Sequence, residues 1–119
     1  MTPRRSPIWH PFTQHGIEHN MPEIARAHGA WLETVDGKRI FDAISSWWVI
    51  THGHCHPKIV AAIQQQASTL DQVIFAGFTH APAETVASQL IGMAPAGLAH
   101  VFFSDSGSTA VEVALKMAL

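Results

Sequence analysis

The last stretch of the chain most constrains its fold, because it has the pattern of a β-strand, a tight loop and a helix. Val101–Phe103 is a short apolar run that favours a strand. From Thr109 the apolar residues recur at helical spacing, and Glu112 lies four residues before Lys116, as in a helical surface pair. A strand that leads into a helix is typical of a mostly parallel sheet, so we expect an α/β fold whose last strand needs more neighbours than this chain supplies.

The loop Ser104–Thr109 combines glycine with several hydroxyl side chains. Unpaired backbone N–H groups and the positive end of the helix dipole favour an anion at such a place, and a phosphate would fit. A second interpretation stays open, in which a serine or Asp105 caps the helix and Gly107 makes the turn. The loop has neither G-x-G-x-x-G nor Gly-Lys-Ser/Thr, so a standard nucleotide site lacks its usual pattern.

Composition suggests a chain whose surface is meant to be covered. Hydrophobic residues make up 47% of the 119 residues and charged residues 13%, which is more apolar than is usual for a free-standing small domain. The sequence also stops at Leu119 within a helical pattern, without a Gly, Asn or Pro to end the helix. We therefore expect the N-terminal part of a longer protein.

Charge and cysteine content exclude several classes of protein. The formal net charge of −2 gives no basic footprint for nucleic acid. Cys55 is the single cysteine, so an internal disulfide is impossible and a reducing compartment is favoured. No signal peptide or membrane-spanning run is present in the sequence, and a cytoplasmic location without membrane partners is expected.

Upstream, the pattern predicts a β-hairpin and two helices. Asp36-Gly37 is a strong turn signal between two strands, Glu23–Thr34 and Arg39–Ile44. Two amphipathic helices with an early proline follow, over Pro57–Leu70 and from Thr79 or His80 to Met93. The predicted order is hairpin, helix, helix, strand, helix.

Two polar and aromatic motifs lie between the hairpin and the first helix. Ser45-Ser46-Trp47-Trp48 follows the returning strand, and in extended chain its two indoles would point to opposite faces, one toward a cavity. Three histidines then alternate in Thr51–Pro57, where extended chain would place them on one face. A metal site is disfavoured, because structural zinc usually takes ligands from two separated segments and no second cluster of Cys and His exists.

Five segments together resemble the class III aminotransferases, which are fold type I pyridoxal-phosphate enzymes: Ile8–Gln14, Ser45–Trp48, Thr51–Pro57, Gly77–Ala83 and Ser104–Glu112. The resemblance runs over nearly the whole chain. It implies the N-terminal portion of that fold, a β-hairpin lobe and the start of the large, mostly parallel-sheet domain. Residues 1–50 would be the N-terminal segment and hairpin of the small domain, and residues 51–119 the incomplete beginning of the cofactor domain.

The resemblance also implies roles for five residues. Gly107 and Ser108 would hold the phosphate of pyridoxal 5'-phosphate, in agreement with the anion site argued from the loop. Trp47 would form a wall of the substrate pocket with Trp48 beside it. Phe12 stands where the family often has tyrosine, so the ring is kept while a hydroxyl that could orient substrate is lost.

By resemblance, the tryptophan pair together with the Trp9-His10-Pro11 segment points, within the family, to transfer of an amino group from S-adenosylmethionine to 8-amino-7-oxononanoate, giving 7,8-diaminononanoate in biotin biosynthesis. Such enzymes work as homodimers and hold the cofactor on a lysine as a Schiff base. Lys38, Lys58 and Lys116 are all in unsuitable, surface-like contexts. No catalytic residue is therefore assigned in this chain, and the lysine and the aspartate that partners the pyridine nitrogen are expected downstream.

Two other functions stay open. Another class III aminotransferase, acting on an ω-amino acid or ornithine, would share the Ser-Gly-Ser loop but has less reason to carry the tryptophan pair. A non-catalytic module that binds a phosphorylated ligand would be consistent with the absence of a suitable lysine.

Overall fold

The computed structural model describes residues 6–17 and 21–119, which fall into two compact units, Met1–Thr69 and Leu70–Leu119. This division concerns the present chain alone, and the predicted domains of a longer protein, 1–50 and 51–119, stay a prediction. In chain order the elements are β1 Ile24–His28, β2 Trp31–Thr34, β3 Arg39–Phe41, the short turn α1 Ser45–Trp48, and the helices α2 Pro57–Thr69, α3 Ala81–Met93 and α4 Gly107–Ala118.

The first unit is built on a three-stranded antiparallel sheet in the order β1-β2-β3. The hairpin predicted at Asp36-Gly37 is confirmed, since Gly37 has φ 83° and its N–H donates to the carbonyl of Thr34 at 3.0 Å. Leu32 pairs with Ile40 across the two strands. Glycine is needed at this turn because positive φ is costly for other residues.

The predicted single strand over Glu23–Thr34 is wrong, because this segment is itself a hairpin. His28 pairs with Trp31, which leaves only Gly29 and Ala30 to connect β1 and β2. Gly29 has φ 57°, a conformation that glycine adopts without steric cost. The prediction missed this turn because a single Gly within an alternating apolar pattern is a weaker signal than Asp-Gly.

The extended conformation predicted for Ser45–Trp48 is also wrong. All four residues have positive φ, from 44° at Ser46 to 67° at Trp48, so the chain makes a left-handed turn. The indoles of Trp47 and Trp48 consequently do not point to opposite faces but stack, with ring centroids 6.4 Å apart. Hydrogen bonds from Ser46 to the Asp42 carboxylate hold this turn, and the backbone preferences of its four residues do not indicate it.

The predicted helices are confirmed within one or two residues. Pro57 starts α2, and His80 caps α3 by accepting the backbone N–H of Ala83 at 3.3 Å. The expected buried sides are exposed in this chain: Val86 and Leu90 of α3 are 44% and 43% accessible. Among residues 6–17 and 21–119, no hydrophobic side chain is fully buried, and none of the helices is long and apolar enough to cross a membrane.

The strand predicted at Val101–Phe103 does not form. The structure assigns no regular element there, and the second unit contains only helices among its described residues. A β-strand is defined by hydrogen bonds to a neighbour, so an apolar β-favouring run without a neighbouring strand remains irregular. The helix that follows begins at Gly107, two residues before the predicted start.

Candidate functional site

The N-terminus of α4 is closed by a capping box. Ser106 is the N-cap with φ −153°, and its hydroxyl accepts the backbone N–H of Thr109 at 3.2 Å. In return, Thr109 Oγ1 accepts the backbone N–H of Ser106 at 3.1 Å. The interpretation that a serine caps this helix is therefore confirmed. The expected surface pair is present too, with Lys116 Nζ 3.0 Å from Glu112 Oε1.

Most hydroxyl groups of the loop are used to order the loop itself. Thr109 Oγ1 lies 2.5 Å from Ser104 Oγ and donates toward Asp105 Oδ1 at 3.2 Å. Asp105 thus helps to order the loop, while the cap itself is Ser106. Within the described chain, the Ser108 hydroxyl and the backbone N–H groups of Gly107 and Ser108 have no such partner, as expected for the first residues of a helix.

The start of α4 fits a phosphate group. Gly107 and Ser108 are exposed, and a Cβ placed on Gly107 would meet nothing within 4 Å, so the approach to the N–H groups is open. Two backbone N–H groups, one hydroxyl and the positive end of a twelve-residue helix provide donors and a favourable field for an anion. Capping and anion binding are therefore compatible, because they use different atoms of the same loop.

The first unit brings together the three aromatic residues predicted for the substrate pocket. The Phe12 and Trp47 rings meet edge to face, with centroids 5.3 Å apart and an interplanar angle of 82°. The Trp48 indole stacks with that of Trp47 at an interplanar angle of 29°. Trp47 is 53% exposed and Phe12 91% exposed. The cluster presents open aromatic surface, and the Phe12 contact requires no hydroxyl. The substrate role of these residues stays a prediction.

Asp42 and His54 form a polar cluster that sequence reasoning missed. Asp42 Oδ1 accepts the backbone N–H of Ser46 at 2.9 Å, while Oδ2 accepts the Ser46 hydroxyl at 2.7 Å. His54 Nε2 lies 2.8 Å from the same Oδ2, and the Asp42 and His54 side chains are only 5% and 12% exposed. The Asp42 to Ser46 spacing of four residues at a strand end was the signal available in the sequence.

These hydrogen bonds keep Asp42 ionised. The Ser46 backbone N–H, then its hydroxyl, then His54 lower the pKa of the Asp42 carboxyl from its ordinary 3.8 to about 2. A carboxylate can only accept hydrogen bonds, so His54 Nε2 must carry the proton between them. The cluster is therefore a charge-assisted contact at neutral pH.

Backbone pairing holds His54 in place. It forms an isolated antiparallel bridge with Gly29, in which the His54 N–H donates to the Gly29 carbonyl at 2.7 Å and the Gly29 N–H donates back at 3.1 Å. Gly53 precedes it with φ 80°, and a Cβ there would lie 3.1 Å from the Gly29 Cα. Only glycine permits this approach without displacement of the backbone.

The histidine run is not extended, so the geometry considered for a metal site does not arise. Gly53 and Cys55 both have positive φ, which turns the chain between the histidines. His54 binds Asp42, whereas His52 and His56 meet edge to face with centroids 6.3 Å apart. No group of three or more potential metal ligands occurs in residues 6–17 and 21–119.

Comparison with known proteins identifies the family. The model of the family described as aminotransferase class-III matches residues 13–119. The adenosylmethionine-8-amino-7-oxononanoate aminotransferase of Synechococcus elongatus is 53% identical over 98% of this chain, which spans 28% of that relative. The corresponding relative in Corynebacterium glutamicum is 44% identical over 94% of the chain, which spans 26% of its length.

Solved structures agree with this relationship. The structure of adenosylmethionine-8-amino-7-oxononanoate aminotransferase from Methanocaldococcus jannaschii superposes with a TM-score of 0.87 at 36% identity, over 93% of this chain and 26% of that one. A PLP-bound amine transaminase from an uncultivated Pseudomonas species superposes with a TM-score of 0.87 at 34% identity, over 98% of this chain and 27% of that one. The fold expected from the sequence, the N-terminal portion of a fold type I transferase, is confirmed. The chain belongs to the class III aminotransferase family.

Proposed function

We propose that this chain is the N-terminal part of a pyridoxal-phosphate-dependent aminotransferase of biotin biosynthesis. The whole enzyme would move an amino group from S-adenosylmethionine to 8-amino-7-oxononanoate and release 7,8-diaminononanoate. The names of the relatives from S. elongatus and C. glutamicum support this choice of substrates. The observation that carries the proposal is the open start of α4, where unpaired donors of Gly107 and Ser108 suit a phosphate.

Gly107 and Ser108 bind the cofactor through its phosphate. Their backbone N–H groups donate to phosphate oxygens, the Ser108 hydroxyl adds a third donor, and the absent side chain of Gly107 lets the anion approach the helix axis. When bound, pyridoxal phosphate supplies the electron sink that amino-group transfer requires and carries the group between substrates. The capping box of Ser106 and Thr109 orders the loop that carries the N–H groups of Gly107 and Ser108.

Trp47, Trp48 and Phe12 form an apolar wall for substrate. The indole of Trp47 contacts the Phe12 ring edge to face and stacks with Trp48, and its exposed surface can pack on the aliphatic chain of the keto substrate. Phe12 contributes packing alone. Substrate orientation near the cofactor must then come from other donors of the whole protein.

The remaining catalytic groups lie outside this chain in our proposal. Lys38 pairs with Asp36 at 2.9 Å and Lys116 pairs with Glu112, so both are surface ion pairs rather than candidates for a covalent anchor. We also propose a cytoplasmic homodimer, in which residues 51–119 begin the cofactor domain. The uncovered apolar faces of α2, α3 and α4 are compatible with burial against the rest of the protein and its partner subunit.

A second candidate is an aminotransferase of the same family with a different amine substrate. The observation that favours it is the equal superposition of the Pseudomonas amine transaminase, with a TM-score of 0.87. Phosphate binding at Gly107 and Ser108 would be common to both enzymes. The two candidates therefore differ in substrate and not in the cofactor site.

Substrate-dependent product formation separates these candidates. The full-length protein, loaded with pyridoxal phosphate, is expected to convert 8-amino-7-oxononanoate to 7,8-diaminononanoate only when S-adenosylmethionine is added, as followed by mass spectrometry. A matched reaction replaces S-adenosylmethionine with an ω-amino acid or ornithine. Turnover with those donors alone would contradict the proposed substrates and support the second candidate. Cofactor binding without any transfer would support the non-catalytic module.

A further inference from the structure

The turn Ser45–Trp48 is the most strained backbone among the described residues. Its four consecutive residues have φ values of 50°, 44°, 64° and 67°, and none of them is glycine. The left-handed conformation is unfavourable for each such residue, because it brings Cβ too close to the following carbonyl oxygen. Strain of this kind persists only where surrounding contacts over-determine it, and it concentrates at functional sites. The contacts that impose the turn are therefore informative.

Asp42 supplies the side-chain contacts to the turn. One carboxylate oxygen accepts the backbone N–H of Ser46 at 2.9 Å and the other accepts its hydroxyl at 2.7 Å, so Asp42 forms two hydrogen bonds with the same residue. Backbone bonds add constraints at the ends: Trp48 N–H donates to Ile44 at 3.1 Å and Ile50 N–H to Ser45 at 3.0 Å. Ser46 immediately precedes Trp47, so its position sets the direction from which the indole leaves the backbone.

Asp42 is in turn fixed to the sheet. Its own backbone N–H donates to the carbonyl of Ala30 at 2.9 Å, in the connection between β1 and β2. His54 holds the second carboxylate oxygen at 2.8 Å and is itself bridged to Gly29 of the same connection. The carboxylate of Asp42 thus links the tryptophan turn, Ser45–Trp48, to the hydrogen-bonded sheet.

We propose that Asp42, held by His54, is a positioning residue that sets the orientation of the Trp47 indole for substrate. The inference rests on the proposed function of Trp47 as a pocket wall, and it adds two residues outside the aromatic cluster to the determinants of that pocket. The stacked geometry of Trp47 on Trp48 and the edge contact with Phe12 are its structural consequence. A displaced wall weakens substrate binding even where the reacting groups are intact.

Asp42→Asn in the full-length protein tests the inference. The variant keeps the shape of the side chain but cannot accept all three hydrogen bonds, since one oxygen becomes an amide N–H donor. Asp36→Asn is the matched control, because Asp36 is a carboxylate of the same unit that bonds to Thr34 and Lys38 and does not touch the turn. Ser46→Ala is a milder second variant that removes only the hydroxyl contact and serves where Asp42→Asn does not fold.

Two readouts are needed. Stacked indoles give an exciton couplet in far-ultraviolet circular dichroism, isolated as the difference between each protein and its Trp48→Phe derivative. We expect Asp42→Asn to lose the couplet and to raise KM for 8-amino-7-oxononanoate about tenfold while kcat changes less than about threefold, the pattern of lost uniform binding. Ser46→Ala should weaken the couplet and raise KM to a smaller extent. Asp36→Asn should change neither the couplet nor KM.

A couplet that persists in Asp42→Asn, with KM as in Asp36→Asn, would overturn the inference. So would loss of the couplet without a rise in KM, provided that Trp47→Ala itself raises KM. If Trp47→Ala leaves KM unchanged, the proposed role of Trp47 in the substrate pocket is wrong. The couplet of Asp42→Asn then decides by itself whether Asp42 orients the indoles, so the two failures are distinguishable.

Discussion

The two candidate sites of this chain are ordered in different ways. In the second unit, the loop before α4 is ordered by bonds among Ser104, Ser106 and Thr109, which lie at most five residues apart. In the first unit, the turn Ser45–Trp48 is bonded through Ser46 to Asp42, four residues earlier, and Asp42 is itself held by His54 and by the Ala30 carbonyl, each 12 residues away. The loop before α4, the candidate phosphate site, is therefore ordered by bonds within itself, whereas the aromatic cluster is linked through Asp42 to the sheet.

This difference predicts where substitutions have long-range effects. Changes in the sheet connection or in Gly53 should disturb the aromatic cluster, although they do not touch it. Changes around the α4 loop should stay confined to the binding of the anion. The predictions below test this contrast.

The largest effect is expected from Gly53→Ala. The new Cβ would meet the Gly29 Cα at 3.1 Å in a residue with φ near 80°, so the backbone must shift and the bridge between Gly29 and His54 is strained. Strain of this kind typically costs about 1–3 kcal/mol. We expect a clear fall in the urea midpoint of the full-length protein together with loss of the indole couplet. Gly92→Ala is the control, because a Cβ there meets nothing within 4 Å; equal behaviour of the two variants would contradict the close approach.

Ser108→Ala should weaken cofactor binding with no loss of folding. Hydrogen bonds to charged groups contribute about 1.5–3 kcal/mol, so an increase of at least about tenfold in the Kd for pyridoxal phosphate is expected. Fluorescence titration of the full-length apoprotein measures it. Ser104→Ala is the control within the same loop, since that hydroxyl contacts Thr109. If Ser104→Ala altered the Kd more than Ser108→Ala, the assignment of the Ser108 hydroxyl as a donor to the phosphate would be wrong.

Lowering the pH should weaken the hydrogen bonds of the Asp42 carboxylate over a defined pH range. Its folded pKa of about 2 lies below the ordinary 3.8, so the folded state binds its proton less readily than the unfolded state. The stabilisation is then complete above about pH 4 and is lost as the pH falls toward 2. The difference in unfolding free energy between the wild type and Asp42→Asn should shrink over that interval. A difference independent of pH there would contradict the ionised contact.

The smallest effect is expected from the exposed pair on α4. Lys116→Gln removes an i,i+4 contact between side chains that are 73% and 66% exposed, and such pairs contribute about 0.3–0.5 kcal/mol. The urea midpoint should therefore move little, and the Kd for pyridoxal phosphate should not change. A large change in that Kd would mean that Lys116 takes part in the site, contrary to its interpretation as a surface residue.

The features predictable from sequence are those with a local cause. Pro57 and Pro82 mark first helical turns, Asp36-Gly37 marks a hairpin, and the hydroxyl-rich loop marks a capped helix start. Each signal lies within a few residues of the structure that it determines. The same applies to the candidate phosphate site, whose donors are consecutive in the chain.

The missed features have non-local causes. Ser45–Trp48 contains no glycine, and the Asp42 carboxylate that bonds to Ser46 is held by His54, a contact across 12 residues that the sequence does not indicate. Val101–Phe103 has the composition of a strand but finds no neighbour to pair with in the described chain. Apolar periodicity places an apolar face on α2 and on α3, but no hydrophobic residue of the described chain is fully buried, so the burial of those faces stays a prediction.

A structure of the full-length protein with pyridoxal phosphate bound tests the central proposal most directly. We predict that the phosphate lies at the start of α4, within hydrogen-bond distance of the backbone N–H groups of Gly107 and Ser108 and of the Ser108 hydroxyl. A phosphate held by other residues, with the start of α4 facing solvent or another part of the protein, would contradict it.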